Sequence, residues 1–308
     1  MAGTAQTALA DRLAGGVWGH LIGDAMGVPY EFTPASAIKR VEWGHRGTHS
    51  QPAGTWSDDG ALMLALLDSL LTNGFDVDDQ ARRALMWLDE GAYAPGPLFD
   101  IGNTTHAALQ RVKDGVPAAG AGLAGENDNG NGSLMRILPV ALVGRDGSPK
   151  TIVDQAIKAS ALTHRHPRAQ LVCAAYCLVA RSLLQGDPRE GAPERALDSI
   201  RHLLSESHRG ELPTVESFTT PTGSGYVLDT FWSAWSAFAG SCSFAETIER
   251  AIRFGSDTDT TAAVAGGLAG IYWGRSGIPA EWLSAMRGTE IIDPLVARLV
   301  APAATSKS

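Results

Sequence analysis

Two stretches of this chain place carboxylates immediately ahead of a long apolar run. The first is "WSDDGALMLALL", with Ser57, Asp58 and Asp59; the second, far downstream, is "GSDTDTTAAVAGGLAG", with Asp257, Asp259, Thr260 and Thr261. Capping explains one such cluster. Ser57 is a good N-cap, and each acid in a first turn interacts favourably with the positive helix end, by about 0.3–1 kcal/mol. Two clusters leading into buried helices admit a second reading: if the helix starts share a cleft, four aspartates crowd one pocket. Like charges that close raise one another's pKa or recruit a cation. Asp, Ser and Thr oxygens suit a hard divalent ion, and no Cys or His pairing at zinc spacing accompanies them, so Mg²⁺ or Mn²⁺ fits better than Zn²⁺. Spacing alone leaves capping and metal binding both open.

Three further segments carry residues able to do chemistry. In "GHLIGDAMGVPYEF", Pro29 is expected to end a helix, which leaves Asp24 on a glycine-lined helical face and Glu31 on the loop beyond. Asp24 reads as a buried hydrogen-bond partner that orients neighbours, and Glu31 as a functional side chain. In "NGNGSLMR", Gly130, Asn131, Gly132 and Ser133 precede Met135 and Arg136. They form either an ordinary helix-capping loop or a set of backbone N–H groups that could cradle an anion. In "THRHPRA", His164 and His166 precede Pro167, which suits the first turn of a helix.

The elements that must position these residues are helical. Apolar residues recur with helical spacing over about 8–28, 58–72, 77–91, 103–114, 132–143, 149–162, 167–185, 192–206, 225–239, 244–254, 258–274 and 290–300, and strand-like alternation is almost absent. The longest irregular stretches are 115–131 and 207–224. This predicts an all-α bundle of roughly a dozen or more helices in one domain over residues 1–308, with flexible ends at 1–6 and 302–308. Gly15, Gly19, Gly23 and Gly27, like Gly266, Gly270 and Gly274, recur every four residues. Each interior glycine costs about 0.5–1 kcal/mol relative to alanine, and close backbone approach between two central helices is the compensating reason.

Taken together, "GHLIGDAMGVPYEF", "WSDDGALM", "NGNGSLMR", "THRHPRA" and "FGSDTDTTAAVAGGLAGIYWG" match, in order and spacing, the motifs of the ADP-ribosylglycohydrolases. The chain resembles the branch that includes dinitrogenase reductase-activating glycohydrolase and the ADP-ribosylarginine hydrolases. The resemblance implies a compact orthogonal all-α bundle with a binuclear Mg²⁺ or Mn²⁺ centre below an ADP-ribose cleft. It places the first metal-binding triplet on Ser57, Asp58 and Asp59 and the second on Asp257, Asp259 and Thr260, with Asp259 bridging the ions. It makes Gly130, Asn131, Gly132, Ser133 and Met135 the cradle of the diphosphate and reacting ribose, and His164 a further substrate ligand. "FDIGNTT" resembles another active-site segment and puts Asp100 near the ribose.

The activity implied is hydrolysis of the bond between ADP-ribose C1″ and an acceptor, most plausibly a protein arginine. Asp58 or Asp59 would orient the attacking water and Glu31 or Asp100 would assist proton transfer. The alternatives are another ADP-ribose linkage (serine, a nucleic-acid base, O-acetyl-ADP-ribose), a non-catalytic ADP-ribose-binding regulator, or a bundle in which the acids are only caps. Two departures from the family pattern stand out: Ser57 replaces the usual Thr, and Gly60 stands where many relatives have Thr after the paired aspartates, losing a hydroxyl that could order the ligands.

Composition sets the remaining bounds. Of 308 residues 44% are hydrophobic and 19% charged, a globular balance, and the net charge of -8 argues against a protein that coats nucleic acid. Three cysteines in apolar contexts are too few for a disulfide framework, and no run of 18 apolar residues occurs. A cytoplasmic monomer with no membrane span is expected.

Overall fold

The structure, a computed structural model, describes residues 2–301. Its elements are α1 (Ala2–Gly27), α2 (Asp58–Asn73), α3 (Val77–Glu90), α4 (Asn103–Lys113), α5 (Ala118–Ala121), α6 (Leu138–Val143), α7 (Pro149–Ala161), α8 (Pro167–Gln185), α9 (Ala192–Arg201), α10 (Glu206–Arg209), α11 (Leu212–Glu216), α12 (Val227–Ala239), α13 (Phe244–Ile252), α14 (Thr258–Trp273), α15 (Ala280–Ala285) and α16 (Thr289–Val300). Among the described residues only isolated bridges, and no strands, interrupt this all-α architecture.

α1 and α14 pass through the middle, and their glycines explain how. A β-carbon on Gly19 would lie 2.3 Å from the Gly266 carbonyl oxygen, and one on Gly270 would lie 1.9 Å from that of Gly15. The two helices therefore meet backbone to backbone, a separation no larger residue permits. α14 is buried on every side from Thr258 to Ile271, as is most of α8. One apolar cluster runs from Leu13 through Leu64, Leu138 and Val179 to Leu299. Cys173 and Cys177 lie inside it as free thiols.

Helix ends follow local chemistry. Ser57 caps α2 by accepting from the Asp59 N–H, Ser148 caps α7 ahead of Pro149, and His166 caps α8 ahead of Pro167. Pro29 falls in a 3₁₀ turn, Val28–Tyr30, just past the end of α1.

Three expectations need correction. The helix predicted over 132–143 begins only at Leu138, because the Gly130–Met135 stretch forms a loop whose Asn131 N–H is taken by the Gly225 carbonyl. The irregular stretches 115–131 and 207–224 contain the short helices α5 and α11, and α15 occupies a segment where no helix was expected. α1 reaches back to Ala2; of the ends expected to be flexible, Met1 and 302–308 lie outside the described residues. No described helix is long and apolar enough to cross a membrane.

Candidate active site

The acidic triplets stand at the N-termini of α2 and α14, and the fold turns both toward one point. Asp24 on α1 fixes the first: its carboxylate accepts from the Ser57 N–H at 3.0 Å and the Gly60 N–H at 2.8 Å. Three linkages fix the second to the chain that leaves α1. The Thr258 hydroxyl donates to the Gly27 carbonyl at 2.8 Å, the Phe32 N–H to the Ser256 carbonyl at 2.6 Å, and the Ser256 N–H back to the Thr33 carbonyl at 3.0 Å. Phe32 and Ser256 both have left-handed backbone, φ 61°, which costs a non-glycine residue about 1–3 kcal/mol. This exchange holds Glu31 over Asp257 and Asp259.

The result is a buried acidic floor. Carboxylate oxygens of Asp24, Asp59 and Asp259 lie within 4.8 Å of one another, as do those of Glu31, Asp257 and Asp259, so Asp259 belongs to both groups. Thr260 donates to Asp59 at 3.3 Å and Ser57 does so at 3.0 Å. Three buried carboxylate oxygens nevertheless have no hydrogen-bond partner: Asp59 Oδ1, Asp257 Oδ1 and Asp259 Oδ2. Unpartnered anionic oxygens in a dry site are costly, and a cation is the partner their chemistry suits. The donor set, all oxygen apart from the histidine beside Glu31, fits a hard divalent ion.

Electrostatics gives the same account. Burial, reinforced by neighbouring carboxylates, holds Asp58, Asp59 and Asp259 well above the usual carboxylate range. Burial and then Asp100, Asp257 and Asp58 push Glu31 up to about 9. Burial lifts Asp24 to about 7 against the opposing pull of its N–H donors. Without a cation these groups cannot all ionise together.

Above the floor opens a cleft of about 380 Å³ lined by Glu31, Asp58, Asp100, Asp257 and Thr260 on one side and by Gly130, Asn131, Gly132, Met135 and His164 on the other. Asn131 ties the loop to the floor by donating to Asp257 Oδ2 at 2.8 Å and to the Thr230 hydroxyl at 2.9 Å. Arg136 lies fully buried beneath the loop, its guanidinium donating to the Gly132 and Ala159 carbonyls. Burial and then the Arg136 charge lower His164 to about 3. Its ring is therefore neutral at physiological pH, with Nδ1 bonded to the Thr163 hydroxyl at 2.8 Å.

Comparison with known proteins shows the family. The ADP-ribosylglycohydrolase family pattern matches residues 5–308. The chain belongs to the ADP-ribosylglycohydrolase family. It is 32% identical over 294 residues to the ADP-ribosylarginine hydrolase Tri1 of Pseudomonas putida (strain GB-1), covering 94% of this chain and 78% of that one. It is 29% identical over 284 residues to the ADP-ribosyl-[dinitrogen reductase] glycohydrolase of Rhodospirillum rubrum, covering 89% of this chain and 90% of that one. A solved structure, titled "ADP-ribosylglycohydrolase-related protein complex", superposes with a TM-score of 0.80 at 32% identity over 96% of this chain and 98% of its own. As a member of this family, the chain is a hydrolase with the family's all-α fold.

Within this ADP-ribosylglycohydrolase, the residues singled out from sequence divide by position. Asp58, Asp257 and Thr260 face the cleft, while Asp59 and Asp259 sit in the floor with oxygens still free. Ser133 points the other way: its hydroxyl accepts from Ser160 at 2.9 Å and approaches Cys173, so its side chain braces the loop. The departure at Gly60 has a steric reason, because a β-carbon there would lie 2.7 Å from both Leu21 Cδ2 and Trp56 Cδ1. Asp24 orders this turn through the Gly60 N–H.

Sequence reasoning singled out Asp100 in "FDIGNTT" but not the polar residues after it, and it missed His49. The N-terminus of α4 enters the cleft with Asn103, Thr104 and Thr105, and the Thr105 hydroxyl is buried without a partner. The glycine and small polar residues of "IGNTT" were the available signal. His49, whose Nε2 pairs with the Glu31 carboxylate, gave none, because eighteen residues separate the two in a loop without periodicity.

Proposed function

We propose that this ADP-ribosylglycohydrolase is a single-domain, metal-dependent hydrolase that releases ADP-ribose from ADP-ribosylated arginine on proteins. The observation that carries the proposal is the convergence of Asp59, Asp257 and Asp259, each with a free buried carboxylate oxygen, at the bottom of a cleft walled by the Gly130–Gly132 loop. The names of the relatives in Pseudomonas putida and Rhodospirillum rubrum support ADP-ribose chemistry, and the first supports arginine.

Two divalent cations, Mg²⁺ or Mn²⁺, would be held by Ser57, Asp58, Asp59, Asp257, Asp259 and Thr260. Bound there, they would supply Lewis acidity toward the ribose and the attacking water. The residues do the rest. With the Asn131 N–H already taken by the Gly225 carbonyl, the Gly130 and Gly132 N–H groups and the start of α4 would serve the diphosphate, which suits a protein without Lys or Arg on this cleft wall. His164, neutral, offers Nε2 to a ribose or phosphate oxygen, and Met135 fills the apolar side of the sugar. Asp58, on the cleft wall, orients the water and takes its proton as oxygen bonds to C1″; Asp59, engaged by Ser57 and Thr260, holds the floor. As the C1″–N bond breaks, its electron pair stays on the guanidine nitrogen, and Glu31 or Asp100 delivers a proton there.

Alanine at Asp58, Asp59 or Asp259 tests this reading. Turnover of ADP-ribosylarginine should fall by at least about 10²-fold while helical circular dichroism is retained. Full activity in all three variants removes the metal mechanism.

A further inference from the structure

The mouth of the cleft carries a feature that the hydrolytic scheme leaves unused. Phe32 is one of two large hydrophobic side chains exposed among the described residues, 66% accessible, and it stands on the cleft wall next to Glu31. A phenyl ring largely in water at the end of a strained turn gains little from the core. It is accompanied: the His49 ring tilts against it with centroids 6.0 Å apart, and the Phe99 ring lies 5.2 Å from that of His49. Two carboxylates adjoin these rings. Glu31 pairs with His49 Nε2, and Asp100 follows Phe99 into the cleft wall.

Charge decides what such a rim attracts. Seven carboxylates (Asp24, Glu31, Asp58, Asp59, Asp100, Asp257 and Asp259) form or surround the floor, and two divalent cations would bring only four positive charges. No Lys or Arg lines the cleft to offset the remainder. Ring faces beside surplus negative charge are the chemistry that recognises an organic cation. A neutral alcohol or an ester leaving group would gain nothing from either component, whereas a guanidinium is both flat enough to stack on phenyl and charged.

We propose that Phe32, His49 and Phe99, set beside the carboxylates of Glu31 and Asp100, form an acceptor subsite that selects a guanidinium leaving group. This rests on the arginine reading above and assigns its specificity to the rim. Phe32 and Phe99 act on binding of the acceptor; His49 is a positioning residue that joins the two rings and steadies Glu31.

Arginine and its neutral ureido counterpart citrulline separate charge from shape. Their dissociation constants are measured on protein saturated with ADP-ribose and Mn²⁺, and the ADP-ribose constant itself serves as the control. Wild-type protein should bind arginine about tenfold tighter than citrulline. Phe32→Ala should bring the two within about twofold, Phe32→Trp should restore the preference, and ADP-ribose affinity should stay within about twofold throughout. Phe99→Ala should narrow the preference in the same direction. The inference is overturned if wild-type protein does not discriminate, if discrimination survives both alanine variants, or if Phe32→Ala weakens ADP-ribose as much as arginine. Turnover is read separately. A wild-type enzyme that leaves ADP-ribosylarginine intact with either metal overturns the arginine reading; one that cleaves it while Phe32→Ala and Phe99→Ala both keep the arginine preference overturns the rim alone.

Discussion

Alanine at Gly270 tests whether the α1–α14 contact sets the spacing of the acidic floor. The added β-carbon would lie 1.9 Å from the Gly15 carbonyl oxygen, where real β-carbons keep at least 3.0 Å, so the helices must part by the difference, 1.1 Å. Both sides of the contact are backbone, and no rotamer change relieves it. Alanine returns about 0.5–1 kcal/mol of helix propensity, whereas overpacking of this kind costs about 1–3 kcal/mol. The net loss is on the order of 1–2 kcal/mol, which lowers the melting temperature by about 2–8 °C. α1 carries Asp24 toward Ser57, and α14 begins at the Asp259 cluster, so the same displacement loosens the floor. A misplacement near 1 Å at a reacting centre can cost about 10²-fold; eleven residues from Asp259, Gly270→Ala should cost about tenfold in kcat/KM. Melting curves and steady-state kinetics read both effects. Gly120→Ala is the control, since nothing lies within 4 Å of a β-carbon there, and it should leave stability within about 0.5 kcal/mol of wild type. If Gly270→Ala melts at or above wild type with full activity, the backbone-contact argument is wrong.

Gly60→Thr, the substitution toward the common family residue, should destabilise by about 1–3 kcal/mol in urea, because Trp56 and Leu21 occupy the space it needs; unchanged stability would remove the steric reason for glycine. In EDTA, stability should fall as pH rises from 5 to 7. A carboxyl whose folded pKa is raised keeps its proton while the unfolded chain ionises, so stability is greatest below the unfolded value and declines up to the folded one. With Asp24 lifted from 3.8 to about 7, that group alone contributes a loss of about 2 kcal/mol over this interval. Mn²⁺-loaded protein should show no such decline between pH 5 and 7, and melting curves that superpose with and without EDTA would count against a cation on the floor.

The parts of this molecule written in local pattern were legible before any coordinates. Helical periodicity gave α2, α8 and α14 nearly to the residue, and the spacing of Gly15, Gly19, Gly266 and Gly270 announced a close helix pair. Ser57–Asp58–Asp59 and Asp257–Asp259–Thr260 were visible because each combines a cap with surplus charge ahead of a buried run. What failed depended on distant partners. The 132–143 segment has helical spacing, yet its first residues form a loop because Gly225, ninety-odd positions away, takes the Asn131 N–H. Ser133 sits in a motif that resembles a substrate cradle, but its hydroxyl direction is set by Ser160 and Cys173. Glu31 read as a functional carboxylate on a loop, but not as one fastened over Asp259 by the exchange between Phe32 and Ser256.

The central claim is that Asp259 joins both halves of a two-cation floor on which ADP-ribosylarginine is hydrolysed. The direct measurement is ADP-ribose release from an ADP-ribosylarginine peptide by metal-stripped wild type and Asp259→Asn as Mg²⁺ or Mn²⁺ is added back, with bound ion counted at each point. The account predicts no turnover in the stripped enzyme, recovery that tracks two ions per chain in wild type, and neither recovery nor a second ion in Asp259→Asn. Turnover that persists after stripping, or Asp259→Asn that recovers with the same two ions, would contradict it.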